Sequence, residues 1–439
     1  MWIGIDDTDS TDGGCTTYTA CLLVKRLIDN NFNIIGYPRL VRLNPNIPWK
    51  TRGNGAISIQ IGKGKGNKIK IGEIENTNLF CSNEIVLEYN DNDIEKIRNI
   101  VEETVDQYAM LDDRNTNSGF VIIKKRLSST FYENAVKGVV GLKKIEIILN
   151  EKKAIFKGYK NRRGLIGATA SISWKPLNDK SYELISYRDK EKWGSKRFVD
   201  DNSTKKMDKS VPSTFDNYDY ENNHNRLVPS SPCPVLFGIR GDNDRDLINA
   251  KSFIKSEKIV SWVIFESNQG SDDHLQYKKI RDIQHYDSVI VKGMVSKNPI
   301  TIPGGHVIFS VKDSTGEIDC AAYEPTKQFR NIIRELMSGD VVEVYGGVRK
   351  KPLTINLEKI KVEKLVKKIE KIENPVCPKC GKHMKSKGAN QGYKCIKCGE
   401  KSNNPLFKKV RRNIRNGFYE VPVCARRHLS KPLKRINRP

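Results

Sequence analysis

The stretch WIGIDDTDSTDGGCTTYTA, residues 2–20, opens on a short apolar strand, Trp2–Ile5, crosses an acidic loop and enters a helix at about Thr16. Ala20, Val24, Leu27 and Ile28 recur at helical spacing and give that helix one buried stripe. The loop carries Asp6, Asp7, Asp9 and Asp12, then Gly13 and Gly14, with Thr16 and Thr17 at the helix start. Carboxylates this close repel one another unless a cation neutralises them. The free N–H groups and dipole of a helix N-terminus attract phosphate. Asp6, Asp7 and Asp9 holding Mg²⁺ beside such a helix is the layout of a phosphoryl- or nucleotidyl-transfer site. The other reading is an Asx-turn and N-cap with solvated acids. The P-loop pattern G-x4-GK[ST] is absent.

Outward from this motif, AISIQI (56–61) and IKIG (69–72) alternate around GKGKGNK (62–68), which reads as a hairpin with a basic, glycine-rich turn. Residues 92–111 read as a helix, closing a first domain at 1–125. Two glycine motifs, RGNGA (52–56) and RRGLIG (162–167), pair an arginine for phosphate with glycines for close backbone approach. Arg52, Asn54, Gly55, Arg163 and Gly164 are the phosphate-binding candidates, against the alternative that such turns are only turns. Residues 126–284 mix strands and helices, with two strand–helix–strand units that point to a ferredoxin-like sandwich. Within them, 199–232 is rich in Asn, Ser and Asp and reads as a long loop.

Residues 286–366 change to an all-β rhythm. SVIVKGMVSK, HVIFSVKD, GEIDCAAYE, DVVEVYGGVRK and LTINLEKIKVEKL are five strands, with the helix QFRNIIREL between the third and fourth. That is the plan of an OB-fold, whose open face suits single-stranded or loop nucleic acid. The alternative is a small β-barrel that only packs against its neighbours.

Cys377, Cys380, Cys395 and Cys398 form two C-x2-C pairs, each followed by glycine, Gly381 or Gly399. Four thiolates fill all corners of a tetrahedral Zn²⁺, so a ribbon at 375–402 is structural rather than catalytic. The other six of the ten cysteines have no metal spacing. From 375 to 439 there are eighteen Lys and Arg against two Glu, most of the chain's net charge of +25. A surplus this concentrated favours a polyanion and reads as an RNA-binding arm at 403–439, with Arg411, Arg412, Arg426 and Arg427 as contacts. Phe418, Tyr419 and Tyr393 are either base-stacking or core residues, and His428 either packs the tail or does chemistry. No apolar run reaches the length of a membrane helix and the acidic N-terminus lacks signal-peptide character, so a cytoplasmic protein is expected. No feature calls for an obligate protein partner.

These motifs together resemble the archaeal agmatidine synthetases, the 2-agmatinylcytidine synthetases of isoleucine tRNA. The resemblance rests on GIDDTDS (4–10), CTTY (15–18), RGNGA (52–56), RGLIGA (163–168), YELISYR (182–188), the OB-fold, the ribbon and RRHLSKPL (426–433). It implies a multidomain α+β enzyme: a kinase-like α/β domain, a ferredoxin-like domain, an OB-fold and a zinc ribbon. It further implies ATP, Mg²⁺ and Zn²⁺ as cofactors, and agmatine and isoleucine tRNA with a CAU anticodon as substrates. Agmatine replaces the C2 oxygen of the wobble cytidine, and ATP ends as AMP and phosphate. Carried over, Asp6, Asp7 and Asp9 hold Mg²⁺ and Thr16 is phosphorylated by its own domain, with Thr17 ranked second. A guanidinium asks for a carboxylate, and Asp12 and Asp242 are the candidates, unless each caps a turn. The rival is a non-catalytic OB-fold and zinc-ribbon protein that binds RNA or single-stranded DNA.

Overall fold

The computed structural model describes the chain except residues 88, 177, 178, 405 and 437–439. The last three residues of the basic tail therefore lie outside the described residues.

The first unit runs β1 (Trp2–Asp6), α1 (Thr16–Asp29), β2 (Asn33–Ile35), β3 (Arg39–Arg42), β4 (Gly55–Ile74), β5 (Thr77–Leu87), α2 (Asp91–Tyr108), β6 (Gly119–Ile123), α3 (Thr130–Lys137), α4 (Leu142–Glu151), β7 (Ile155–Gly158) and α5 (Gly164–Ser173). As expected, Ala20, Val24 and Leu27 are buried, and with Ile28 they seat α1 on a core built from β1, β4 and α2. Asn90 caps α2 through a reciprocal capping box with Asp93.

Three expectations need correction here. The glycine-rich segment 62–68 is not a turn. β4 passes straight through it, and the hairpin closes at Glu75 and Asn76, both left-handed. Register shifts between Lys63 and Gly64 and between Lys65 and Lys68 show the glycines serving as bulges in a long strand. The expected domain break at 125 does not match the sheet. β6 pairs with β1 and β7 pairs with β6, so the chain returns to the first unit as far as α5. Nor is 199–232 an open loop: it folds as α6 (Asp201–Ser210), β9 (Thr214–Phe215), β10 (Tyr218–Asp219) and β11 (His224–Asn225). Its polar residues supply local caps, as Asp200 does to the Ser203 N–H.

The second unit adds β8 (Ser181–Tyr187), β12 (Val235–Gly241), α7 (Asp244–Phe253) and β13 (Ser261–Ser267). β13 pairs with β3 and β4, so one eleven-stranded sheet, ordered β7-β6-β1-β4-β3-β13-β8-β12-β9 with β2 and β5 beside β4, spans both units. Met207, Leu236, Phe237, Leu247 and Ile264 form the core beneath α6 and α7.

After β14 (Gln276–Tyr277) come β15 (Ser288–Ile302), β16 (His306–Lys312), β17 (Glu317–Ala322), α8 (Phe329–Arg334), β18 (Val341–Arg349) and β19 (Thr354–Lys364). β15 pairs with both β16 and β18, which closes the barrel, and α8 sits between the third and fourth strands as the sequence requires of an OB-fold. β20 (Lys368–Glu373) leads to the ribbon strands β21 (Lys385–Ser386), β22 (Tyr393–Lys394) and β23 (Lys401–Ser402), and β24 (Leu406–Val410) returns along β20. The tail is no free arm: β25 (Gly417–Glu420) joins β19 as a further barrel strand, and α9 (Leu433–Ile436) ends against the second unit. Tyr419 accordingly packs on the barrel core. Among the described residues no helix is long and apolar enough to cross a membrane.

Candidate active site

β1 delivers Asp6 to the floor of a cavity of about 390 Å³ that lies between the first two units. α5 crosses directly behind it. A Cβ on Gly4 would stand 2.3 Å from the Ala168 carbonyl oxygen, and one on Gly167 1.9 Å from Asp6 Oδ2. The glycines of RGLIGA therefore serve helix-on-sheet contact, and the Gly164 N–H is engaged by the Asn117 carbonyl at 2.9 Å. Gly164 lines the cavity but does not offer that donor to a phosphate.

Asp7 turns the chain at φ +56°, a left-handed conformation that Asp tolerates. Its Oδ1 accepts from the Thr51 hydroxyl at 3.2 Å and its Oδ2 from the Asn117 N–H at 2.9 Å. Asp9 lies 3.6 Å from Arg52. Burial raises all three acids. Asp6 goes well above the usual range, with the Asp7 charge adding to burial. Asp7 reaches about 6 by burial, opposed by the Asn117 N–H. Asp9 is raised by burial against the charge of Arg52. Acids this reluctant to ionise are ready for a cation. At the facing start of α1, Thr16 and Thr17 line the cavity, the Thr8 hydroxyl donates to Thr16 Oγ1 at 3.2 Å, and Cys15 leaves the helix without a side-chain cap.

The opposite wall was not foreseen from the residues alone. Glu183 of β8 is gripped by Arg240 Nε at 3.2 Å, by Arg42 at 3.8 Å and by the Gln269 amide. His428 joins them from the tail, and Lys50, held down to about 8 chiefly by burial, stands nearby. YELISYR and RRHLSKPL contain Glu183 and His428, so the resemblance carried a signal that composition and spacing did not.

All five phosphate candidates line the cavity, with different duties. Arg52 organises the acidic loop, donating to the carbonyls of Ser10, Gly13 and Gly14 at 2.5, 2.9 and 3.1 Å. Asn54, at φ +46°, ties the RGNG turn to the Asn44 carbonyl, and Gly55 begins β4. Arg163 lies over the Trp49 ring at 4.4 Å, and its positive charge favours Asp7 ionised. Asp12 and Asp242 do not line the cavity. Asp12 is exposed, and Asp242 pairs with Arg435 at 2.6 Å, a guanidinium from this chain in place of one from a ligand. Two tail arginines are likewise engaged internally: Arg412 with Asp340 at 2.5 Å, and Arg426 with Asp216 and Glu420. Arg411 is exposed, while Arg427 bridges Asn46 and Glu358.

Family models described as the TiaS TCKD domain, the TiaS FLD domain, an OB-fold nucleic acid binding domain and the TiaS C-terminal zinc ribbon domain match residues 2–161, 162–274, 289–370 and 374–414. TiaS of Methanocaldococcus jannaschii, a 2-agmatinylcytidine synthetase of isoleucine tRNA, is 43% identical over 100% of this chain and 99% of that protein. The chain belongs to the TiaS family. A solved complex of TiaS with isoleucine tRNA and ATP superposes with a TM-score of 0.85 at 40% identity, covering 100% of this chain and 97% of that one. A complex of TiaS with the same tRNA, AMPCPP and agmatine gives 0.82 at 38%, with the same coverage. The first of these models ends at 161 rather than 125, just after β7, and the second takes in α5.

The ribbon fits zinc. Its four Sγ atoms lie within 4.8 Å of one another, with pairs at 3.3, 3.4 and 3.7 Å. Zn–S bonds of about 2.3 Å at tetrahedral angles place sulfurs about 3.8 Å apart. Both knuckles repeat one bond, Gly381 N–H to Cys377 O and Gly399 N–H to Cys395 O, each 2.9 Å, with the glycines left-handed. Among the described residues only these cysteines converge so closely. Purified protein is expected to hold one zinc per chain. Chelation should expose four thiols and unfold the ribbon, while the barrel and the large sheet, which have their own cores, stay folded. Metal analysis with thiol titration checks this, and a zinc-free protein with an intact ribbon would exclude it.

Proposed function

We propose that this protein is a cytoplasmic, ATP-dependent ligase that joins agmatine to C2 of the wobble cytidine in isoleucine tRNA bearing a CAU anticodon, so that the anticodon reads AUA. The observation that carries this is the cavity itself: three half-buried carboxylates and a phosphate-seeking helix start face a cationic wall, between units whose relatives were solved with ATP, isoleucine tRNA and agmatine.

A carbonyl oxygen on cytosine is a poor leaving group. Phosphorylation turns it into a good one: the oxygen attacks the terminal phosphorus of ATP and displaces ADP, which is cleaved on to AMP, and the amine then attacks C2, loses a proton and expels the oxygen as phosphate. Asp6, Asp7 and Asp9 would hold Mg²⁺, which would neutralise charge on the transferring phosphoryl group. Among the described residues these three acids do not draw together as closely as the four ribbon cysteines do. Thr16, at the head of α1 and lining the same cavity, is the hydroxyl that receives a phosphoryl group, with Thr17 beside it as the second candidate. The barrel, the ribbon and the exposed part of the basic tail, Arg411 included, grip the RNA.

A wobble base must leave its stack to be reached. Trp49 is 51% exposed inside the cavity, backed by Arg163, with Tyr286 of the barrel's entry 6.0 Å away. It is the aromatic surface on which the extruded base rests. Trp49→Ala should weaken productive tRNA binding by about 1–3 kcal/mol, seen as a raised KM for tRNA, and Trp49→Phe should recover most of it. An unchanged KM in the alanine variant removes this role.

The decisive experiment for the reaction is incubation with ATP, labelled agmatine and the tRNA transcript, followed by mass spectrometry of the wobble nucleoside. One labelled cytidine derivative is expected, and no product with all three present would end the reading.

A further inference from the structure

The segment after β25 is built into the protein more tightly than a tail. Arg426 is paired with Asp216 of the second unit. Arg427 donates to Asn46 of the first unit at 2.6 Å and lies 3.3 Å from Glu358 of the barrel. The carbonyls of His428 and Leu429 accept from the N–H groups of Gly270 and Asp272, both at 2.8 Å, and Leu429 is buried among Val41, Ala56 and Trp174. The Lys431 N–H donates to Asp272 at 2.7 Å. This strap touches all three large units within a few residues, and between its anchors it lowers one side chain into the cavity.

That side chain is His428. Its Nδ1 stands 3.0 Å from Arg240 Nη2 and 3.1 Å from Gln269 Oε1. The two neighbours ask for opposite tautomers. A guanidinium can only donate, and its bond is charge-assisted, so it decides: Nδ1 accepts and the ring proton sits on Nε2. Arg42, Arg240, Arg226 and Lys50 surround the ring and, with burial, keep it neutral. Glu183 is the acid at this wall, and Arg42 and Arg240 already hold it. Nε2 has no protein partner among the described residues, and the RGNG turn reaches it only because Gly53 is bare: a Cβ there would lie 3.0 Å from Nε2 and 2.8 Å from Arg42 Nη1. A neutral N–H donor amid several cations with one engaged carboxylate is a receptor for an oxyanion.

Resting on the reaction proposed above, we infer that the C-terminal strap is a wall of the reaction pocket and that His428 offers its Nε2–H to a phosphoryl oxygen of the substrate. Two sources supply that chemistry: the polyphosphate of the nucleotide and the backbone phosphate flanking the extruded base.

Binding to the full-length, zinc-loaded protein separates them. Inorganic tripolyphosphate stands in for the first and unmodified tRNA transcript without nucleotide for the second. His428→Ala should weaken one of the two about tenfold or more, and His428→Gln, whose amide nitrogen reaches the Nε2 position, should recover most of the loss. Nitrogen NMR of labelled histidine should show His428 as a neutral Nε2–H ring at pH 6. Both probes binding His428→Ala as they bind the native protein, or a ring protonated at Nδ1, would overturn the inference. Native protein that binds a probe with this His428 dependence, yet forms no modified cytidine, sinks the proposed reaction and leaves the oxyanion site standing.

Discussion

Asp7→Asn is expected to abolish cytidine modification while making the ligand-free protein more heat-stable above pH 6. The first effect follows from removing a charge that holds Mg²⁺. The second follows from where the charge sits. Burial lifts the Asp7 carboxyl from its ordinary value near 3.8 to about 6. In the unfolded chain it ionises near its ordinary value, so between these limits the folded state binds more protons than the unfolded one. Stability therefore falls as pH rises through this window and stays lower above it. The full shift corresponds to at most about 3 kcal/mol, reduced where Asp6 and Asp9 share the cost by staying protonated.

Asparagine keeps the shape and tolerates the left-handed backbone of Asp7. Its oxygen can still accept from Asn117, and its amide can donate to the Thr51 hydroxyl. Thermal scans without Mg²⁺ should show native protein and variant melting alike near pH 4 and the variant several degrees higher at pH 7.5. Equal midpoints at pH 7.5 would mean that these acids carry no buried strain. RNA affinity should stay near native, because the barrel and ribbon do not touch Asp7. Equal loss of RNA binding, with no turnover in the native protein, would favour a pure RNA binder.

The contrast between the acids and the arginines explains what could be read from the chain. Strand, loop and helix at 2–29, the five barrel strands and the cysteine knuckles are local patterns, fixed by periodicity or by four-residue spacing. So is the crowding of Asp6, Asp7 and Asp9. The segment 62–68 misled because glycine signals both turns and bulges, and the alternation on either side of it is that of one strand. Arginines misled for a different reason: their role depends on a partner far along the chain. Arg412 meets Asp340, and Arg426 meets Asp216 210 residues away. The cationic wall shares this character, with Arg42, Glu183, Arg240 and His428 drawn from four separate segments.

Arg435 is the sharpest case and sets the second large effect. It lies in the final helical turn, yet its side chain is 6% exposed. Nε meets Asp242 at 2.6 Å, Nη2 meets Asp179 at 2.7 Å and the Lys180 carbonyl at 3.0 Å, Nη1 reaches the Gly270 carbonyl, and the guanidinium lies 5.0 Å from the Phe215 ring centroid. Breaking a buried pair by removing one partner costs about 3–5 kcal/mol, because the other charge is stranded. Here Asp179 and Asp242 keep 22% and 29% exposure and can rehydrate, so Arg435→Ala should cost about 2–4 kcal/mol. Arg435→Lys should recover little of it, since one ammonium cannot span two carboxylates and two carbonyls. Asp242→Ala should cost less than Arg435→Ala, and the double variant should be no worse than Arg435→Ala alone, because the acid has lost its partner already. The strap is anchored at this end, so Arg435→Ala should also reduce turnover by displacing His428, although Arg435 does not line the cavity. A variant with native melting and native turnover would mean that the strap is held by Leu429 and Arg427 alone. Normal melting with impaired turnover would instead assign Arg435 to orienting His428 rather than to holding the fold.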